Sequence, residues 1–448
     1  MKKWFGVIGM AVLLLVSACS SDDATSTNPD AKVVRVALAG WNLEDGLDAI
    51  TGNETKGLNT FLEESFYPDN PDIKMELTTV PWENAQAKMN ALLQSGDVDV
   101  IYTGGAFASM YSKQGLLRGL DDLIEQDDTF DSSIYLEGVW EDSYSTKSFD
   151  KETHFGLPAV LGRRVTIFDK KLFDDWGVEY LSENPTPEEV LEKAKQMTGT
   201  NPVTGEQNYG LWFNGTAING STIVALSHAL GAAGAEGSLA EPENLDWQLT
   251  SPEMVEVMNW LGEAAKYAPP AFINGEGAEN FGMEGNNIGI ALDHAGSSTM
   301  SEFRESGDTT LLERFAVSKN LGPNGEGWVA VDPFIMAKDA QNVDAAWEVM
   351  KFLAGPEVQE YRYENFTATP TLANADFVNE EDKYMKVAME IADIAETSLL
   401  DEANPFFTSD IVPEINRFVS EAHNGNTPDP QAFLEELQKR AEAWSANQ

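Results

Sequence analysis

Apolar and polar residues alternate along residues 33–38 (VVRVAL), the period of a half-buried strand, and the run stops at Ala39-Gly40-Trp41-Asn42. A helix is predicted over 57–66. Behind Pro71, residues 73–80 (IKMELTTV) alternate again as a strand. Across 82–94 the apolar positions Ala85, Met89, Leu92 and Leu93 recur at helical spacing, and Ser95-Gly96 ends the helix. A short apolar strand follows over 98–102, and Gly104-Gly105 marks a loop after it. The alternation resumes with a strand over 165–168 and a short helix over 170–176. In Asn184-Pro185-Thr186-Pro187-Glu188-Glu189, Thr186 can cap a helix, Pro187 suits its first position and the glutamates suit the positive end of its dipole. Ser251-Pro252-Glu253 repeats that chemistry before a helix running to Tyr267. An amphipathic helix over 344–353 ends at Gly355-Pro356, and a last one runs from Asp429-Pro430 to Trp444. Strands alternating with helices predict α/β units and parallel-rich sheets. No repeat of solenoid period is visible.

The first residues follow another logic. Lys2 and Lys3 precede an apolar run of about 13 residues, short of the roughly 20 that span a bilayer, and the small pair Ser17-Ala18 leads into Cys19. That is the layout of a secretory signal. The cysteine at its end resembles the lipobox of bacterial lipoproteins. The resemblance implies removal of 1–18, acylation of Cys19 by fatty chains such as palmitate, and tethering on the outer face of the bacterial cell membrane or in the periplasm. Residues 20–30 (SSDDATSTNPD) are polar, without aromatics or hydrophobic period, so 19–31 reads as lipidated cysteine plus flexible tether. Cys19 is the only cysteine, so no disulfide within the chain is available.

The chain has 448 residues and 42% hydrophobic content, enough for two lobes of ordinary size. Its formal charge is −45, and loss of Lys2 and Lys3 with the leader makes it −47. Such a surface repels nucleic acid and anionic lipid. Acidic runs such as 125–131 (EQDDTFD) and 380–382 lack the alternation and central glycine of an EF-hand loop, and the four histidines show no metal spacing. No metal or cofactor is expected. A phosphate-binding Gly-x-x-x-x-Gly-Lys-Ser/Thr loop is absent, as are Gly-x-Ser-x-Gly and His-Glu-x-x-His.

The series from 66 to 123 carries more. Pro71 precedes the alternating strand; Ser95-Gly96 and Asp99-Val100 follow the helix; Gly115-Leu116-Leu117 and Leu120-Asp121 close the run. Beyond it come Phe155-Gly156-Leu157-Pro158, the 167–173 segment IFDKKLF, the strand over 287–292, 333–338 with Ala345-Ala346-Trp347, and Gly425-Asn426-Thr427-Pro428. In this order the segments resemble the extracellular solute-binding proteins of ABC importers, of the maltose-binding type. Asp169 departs from that pattern, standing where asparagine is usual. The resemblance implies a two-lobed periplasmic-binding-protein fold with a ligand cleft between lobes and hinge crossovers. Lobe 1 would take 32–158 plus 325–368 and lobe 2 would take 159–324 plus 369–448. It implies a monomer that is not an enzyme, delivering a solute to permease subunits with a cytoplasmic ATPase.

Sugars offer apolar ring faces and dense hydroxyls, so a cleft for them needs aromatic platforms and paired polar groups. Ligands collect beyond strand ends. On that basis Trp41, Asn42, Trp82, Gly104, Gly105 and Phe107 are candidates, and the resemblance adds Trp212, Asn214, Asp293, His294, Trp328 and Asp332. The competing role of each aromatic is core packing, which Trp260, Trp347 and Trp444 suit better. Arg163 and Arg164 lie beside the expected hinge in a chain poor in bases. A guanidinium binds carboxylate bidentately, which suggests a uronate-bearing sugar unless the pair serves local acids such as Asp169. Other readings stay open: a polyamine, peptide or other solute on the same fold, a sensor or adhesin, and a secreted glycosidase, for which no carboxylate pair is singled out.

Overall fold

The computed structural model describes residues 31–47, 54–141, 144–213, 217–270, 276–294, 309–322, 329–379, 381–392, 401–426 and 428–448. The leader with Cys19, and Asn214 and Trp328, lie outside them, as do the side chains of Arg163, Asp293 and His294. Among the described residues no helix is long and apolar enough to cross a membrane.

Ten strands build two five-stranded sheets. In chain order they are β1 (Lys32–Ala39), β2 (Ile73–Val80), β3 (Val100–Tyr102), β4 (Gly156–Arg163), β5 (Val165–Asp169), β6 (Gly199–Thr200), β7 (Gln207–Trp212), β8 (Ile288–His294), β9 (Phe315–Ser318) and β10 (Val329–Met336). The first sheet has the order β2-β1-β3-β10-β4 and the second β9-β5-β8-β7-β6. β1 runs parallel to both β2 and β3, while β10 is antiparallel to β3 and β4. Each sheet has its own core. One gathers residues from Val34 to Ala159 and from Phe334 to Leu372; the other gathers residues from Phe168 to Leu321 and from Phe406 to Ala441. This is a mixed α/β, two-lobed molecule.

The chain passes between the sheets where β4 runs into β5 and where β10 begins. Here β4 and β10 pair from Val329↔Arg163 to Ile335↔Gly156, with a slip: Asp332 faces Val160, Pro333 faces Pro158, and Ala159 is the extra residue. Neither proline has an N–H to give to a ladder, so both tolerate a bulge that would cost another residue a hydrogen bond. A small cluster of Leu136, Val139, Leu161 and Val331 packs over this crossing, and Leu161 donates to the Thr369 carbonyl at 3.0 Å.

Local sequence accounts for most elements. Thr186 Oγ1 accepts from Glu189 N at 3.1 Å and Ser251 Oγ from Met254 N at 3.2 Å, capping the helices Pro187–Gln196 and Pro252–Ala264. Two expectations need correction and one, the helix end at Gly355-Pro356, needs extending. Gly104-Gly105 does not open a loop: Gly104 is the extended residue before a helix, Gly105–Lys113. A side chain there is excluded, since a Cβ on Gly105 would lie 2.3 Å from the Val331 carbonyl oxygen. Gly355-Pro356 ends one helix and immediately starts another, Pro356–Phe366, because proline fits a first turn that needs no N–H. The helix expected to reach Tyr267 stops at Ala264 and tightens into a 3-10 turn, Ala265–Tyr267. The helix Gly220–Ala229 escaped the sequence reading because residues 221–227 are all buried, leaving no polar face to mark a period.

Asp169 closes β5 and caps the next helix through Lys171 N. Its partner is Arg314, whose Nη2 donates to Oδ2 at 2.5 Å and Nε to Oδ1 at 2.9 Å, with Asn286 Nδ2 at 2.8 Å. In the first lobe Asp99 has a similar post. It accepts from Arg35 Nη2 (2.7 Å), Arg35 Nε (3.0 Å), Arg35 N (2.8 Å) and Gln341 N (2.8 Å), joining β1, the foot of β3 and the segment after β10. Burial pushes the Asp99 carboxyl up, but these donors outweigh it and hold it below the usual carboxylate range.

Candidate functional site

A cavity of about 390 Å³ lies over the crossing strands, within the range of small-ligand sites. Its walls are Trp82, Gly104, Gly105, Ala106, Phe107, Tyr144, Gly162, Arg164, Ala330, Asp332 and Glu402. They come from both sides of the crossing, with Trp82 to Phe107 on the first sheet's helices and Glu402 just before Phe406 of the second core. A larger depression of about 660 Å³ at the edge of the first lobe is lined by residues including Asp45, Lys56 and Asn365. It has no aromatic wall, and one of its two acids, Asp45, is committed to Gly57 N (2.8 Å) and Thr60 Oγ1 (3.0 Å) at the start of a helix. The 390 Å³ cavity has the chemistry.

Trp82 is the first residue of the helix Trp82–Ser95 and remains 43% exposed, unlike most large apolar side chains here. Gly40 sets its pose. With φ +68° and an imagined Cβ 2.2 Å from the Trp82 indole nitrogen, that position accepts glycine on two counts. Gly104 lies between Trp82 and Phe107, a Cβ there meeting both rings at ordinary contact distance. The result is an aromatic wall with open backbone beside it, suited to the apolar face of a ring.

The polar floor is Asp332. It sits at the bulge of β10, with Oδ2 accepting from the Tyr102 hydroxyl at 3.3 Å and a further bond from the Gly105 amide. Part of its surface opens to the cavity, yet the carboxyl sits deep between apolar walls. Burial, together with the charge of Glu402, pushes it up to about 7 against the pull of Tyr102, Gly105 and Arg362. Across from it, Tyr144 donates its hydroxyl to Asp401 Oδ1 at 2.6 Å. Burial, then Asp401, raises the Tyr144 phenol well above its ordinary value, so it serves as a neutral hydroxyl and apolar ring. Arg164 supplies the one basic group among the described lining residues.

Of the candidates read from the sequence, Trp82, Gly104, Gly105, Phe107, Arg164 and Asp332 meet in this cavity. Trp41 does not: it is 3% exposed, edge-on to Tyr102 and Phe334 in the first core, because the strand end it follows is itself interior. Asn42 is exposed but away from the cavity; it is used through its backbone, where its carbonyl accepts from Leu58 N at 3.0 Å. Trp212 packs on Phe281 at 5.1 Å between ring centroids, in the second lobe. Asp293 and His294 end β8, and Arg163 ends β4. Trp260 and Trp347 are buried, and Trp444, partly buried, packs edge-on to Trp247 and tilted against Phe406 at the edge of the second core. Tyr144 and Glu402 were missed. They are distant in sequence from each other and from Asp332, and neither sits in a local pattern that announces it.

The family described as bacterial extracellular solute-binding protein matches residues 51–360. A putative binding protein of Brucella abortus is 22% identical, over 99% of this chain and 98% of its own length. Among solved structures, the sugar-binding protein MalE from Xanthomonas citri superimposes with a TM-score of 0.71 at 15% identity, covering 93% of this chain and 98% of that one. The ABC substrate-binding protein Lmo0181 from Listeria monocytogenes, in complex with cycloalternan, gives 0.66 at 20% identity, covering 93% and 99%. A solute-binding protein from Agrobacterium vitis with bound D-mannitol gives 0.63 at 19%, covering 93% and 98%. These likenesses establish the fold.

Proposed function

As this chain belongs to the bacterial extracellular solute-binding proteins, we propose that it captures a sugar or oligosaccharide in the cavity over the crossing strands. The lobes, 32–158 plus 325–368 and 159–324 plus 369–448, close around it by hinge motion, and the loaded monomer delivers it to an ABC permease. The carrying observation is the aromatic wall of Trp82 and Phe107 facing a polar floor of Asp332, Tyr144 and Glu402. Ring faces stack on the first and hydroxyls pair with the second. Asn214, Asp293, His294 and Trp328 join the site on the resemblance, and Arg163 on its place beside Arg164 at the hinge. Cys19 holds the protein to the outer face of the membrane by lipid. The chain catalyses no reaction on its ligand.

The uronate expectation rests on Arg163 and Arg164. Arg164 does line the cavity, but a ligand carboxylate there would also meet Asp332 and Glu402. Like charges at such range are unfavourable, so a neutral sugar ranks first. The same two acids favour a second reading, an amine-bearing solute such as a polyamine.

Titration calorimetry of the exported chain against maltotriose, mannitol, a galacturonate trimer and spermidine tests this. The expected result is saturable binding of one neutral carbohydrate or polyol, without product on long incubation. Heat from spermidine alone would replace the carbohydrate reading; cleavage of maltotriose would contradict a pure binder.

A further inference from the structure

Behind the cavity floor lies a cation that ligand capture does not touch. Arg362, on the helix Pro356–Phe366, holds its guanidinium carbon 4.1 Å from the centre of the Trp41 ring and 5.3 Å from that of Phe366. Its Nε is buried and finds no acceptor among the described residues, and neither does Trp41 Nε1. Trp41 meets Tyr102 edge-on at 5.3 Å, and the Tyr102 hydroxyl donates to Asp332 at 3.3 Å. A guanidinium stays charged even when desolvated. Leaving one under aromatic rings, with no acid among the described residues in contact, is costly.

We propose that Arg362 is a positioning residue: acting through the Trp41–Tyr102 layer, its fixed charge favours the ionised form of Asp332, the form that accepts hydrogen bonds from a ligand in the cavity through both oxygens. Asp332 needs such a counter-charge. The groups facing it are the Tyr102 hydroxyl, the Gly105 amide, the Glu402 carboxylate and Arg362, with Arg164 and Tyr144 on the same cavity walls. Tyr102 and Gly105 each give one hydrogen bond. Glu402 and burial both oppose ionisation, and Arg362 acts the other way, across a layer of low dielectric where charges reach further than in water. Trp41, read from the sequence as a sugar platform, is on this account the lid between cation and cleft. Only the ligand-binding half of the proposal rests on the cleft being the capture site.

The test follows melting temperature from about pH 4 to about pH 9 for the chain with and without Asp332→Asn, in backgrounds carrying Arg362, Arg362→Lys and Arg362→Met. The carboxyl is raised in the folded state, so it costs the protein stability as pH climbs from the usual carboxylate range to its folded titration point. The gap between Asp and Asn proteins therefore widens over that window and then levels off. Arg362→Met should move the levelling point to higher pH, and Arg362→Lys should leave it in place. Arg362→Gln serves if the methionine variant does not fold. A uniform loss of melting temperature with the window unmoved would overturn the proposal and leave Arg362 a packing residue. With a sugar that binds, Arg362→Met should weaken affinity several-fold near pH 7 and recover it near pH 9. If no sugar binds, the capture reading fails while the melting window still decides the role of Arg362.

Discussion

Asp99 and Asp332 stand at opposite ends of the three-residue strand β3, and they behave as opposites. Asp99, immediately before it, takes four hydrogen bonds from Arg35 and Gln341 and is held below the usual carboxylate range. Asp332, on β10 beside its far end, takes one bond from Tyr102 and one from Gly105 and is pushed up to about 7. Burial acts upward on both, so the donors decide. The strut is saturated and has nothing left to offer a ligand. The cleft residue keeps lone pairs free at the point where the backbone bulges and the chain changes lobe. Stability is invested at the closed end of the sheet and chemistry is left open at the other.

The largest effect should come from unbalancing the strut. Asp99→Asn leaves the Arg35 guanidinium facing a neutral amide and breaks a part-buried pair, costing about 3 kcal/mol, read as a lower denaturant midpoint. An unchanged midpoint would remove the contrast between the two ends. A smaller effect, opposite in sign with pH, is expected at the cleft. The depressed Asp99 carboxyl contributes stability that is present above its unfolded value and lost as pH falls through its lower folded one. The raised Asp332 carboxyl favours the folded state at low pH and loses that as pH rises to about 7. Asp332→Asn should therefore gain melting temperature relative to the native chain near pH 8 and show little gain near pH 4. A gain that does not vary with pH would mean that Asp332 titrates normally. Smallest is Tyr102→Phe, which removes one weak donor from Asp332: about 0.5–1.5 kcal/mol, with the Asp332 window displaced upward. No displacement would place the hydroxyl outside the control of that carboxyl.

The regular elements were legible because their signals are local. The alternating run of β2 and the helix starts at Thr186 and Ser251 lie where periodicity and capping put them. The helix Gly105–Lys113 was hidden because two glycines read as a loop, whereas the tight approach to Val331 is what demands them. At the site, Trp82, Phe107 and Asp332 were reachable from their places beside strand ends and crossovers. Trp41 shared that pattern and failed, since facing inward or outward depends on what the next strand covers it with. Tyr144 lies before the first crossing and Glu402 long after it, so their meeting at the cavity is a long-range arrangement that no local window contains. Arg362 carried no signal at all, being one arginine on an exposed-looking helix until Trp41 is laid over it.

The most direct measurement compares the native chain with Trp82→Ala in calorimetric titrations with the best-binding carbohydrate of the panel, alongside their melting curves. Trp82 is 43% exposed at the cavity wall. Its loss should cost about tenfold or more in affinity, at about 1–3 kcal/mol for an aromatic platform, with the melting temperature nearly unchanged. Full affinity in Trp82→Ala would contradict the account, because the cavity over the crossing strands would then not be where the ligand binds.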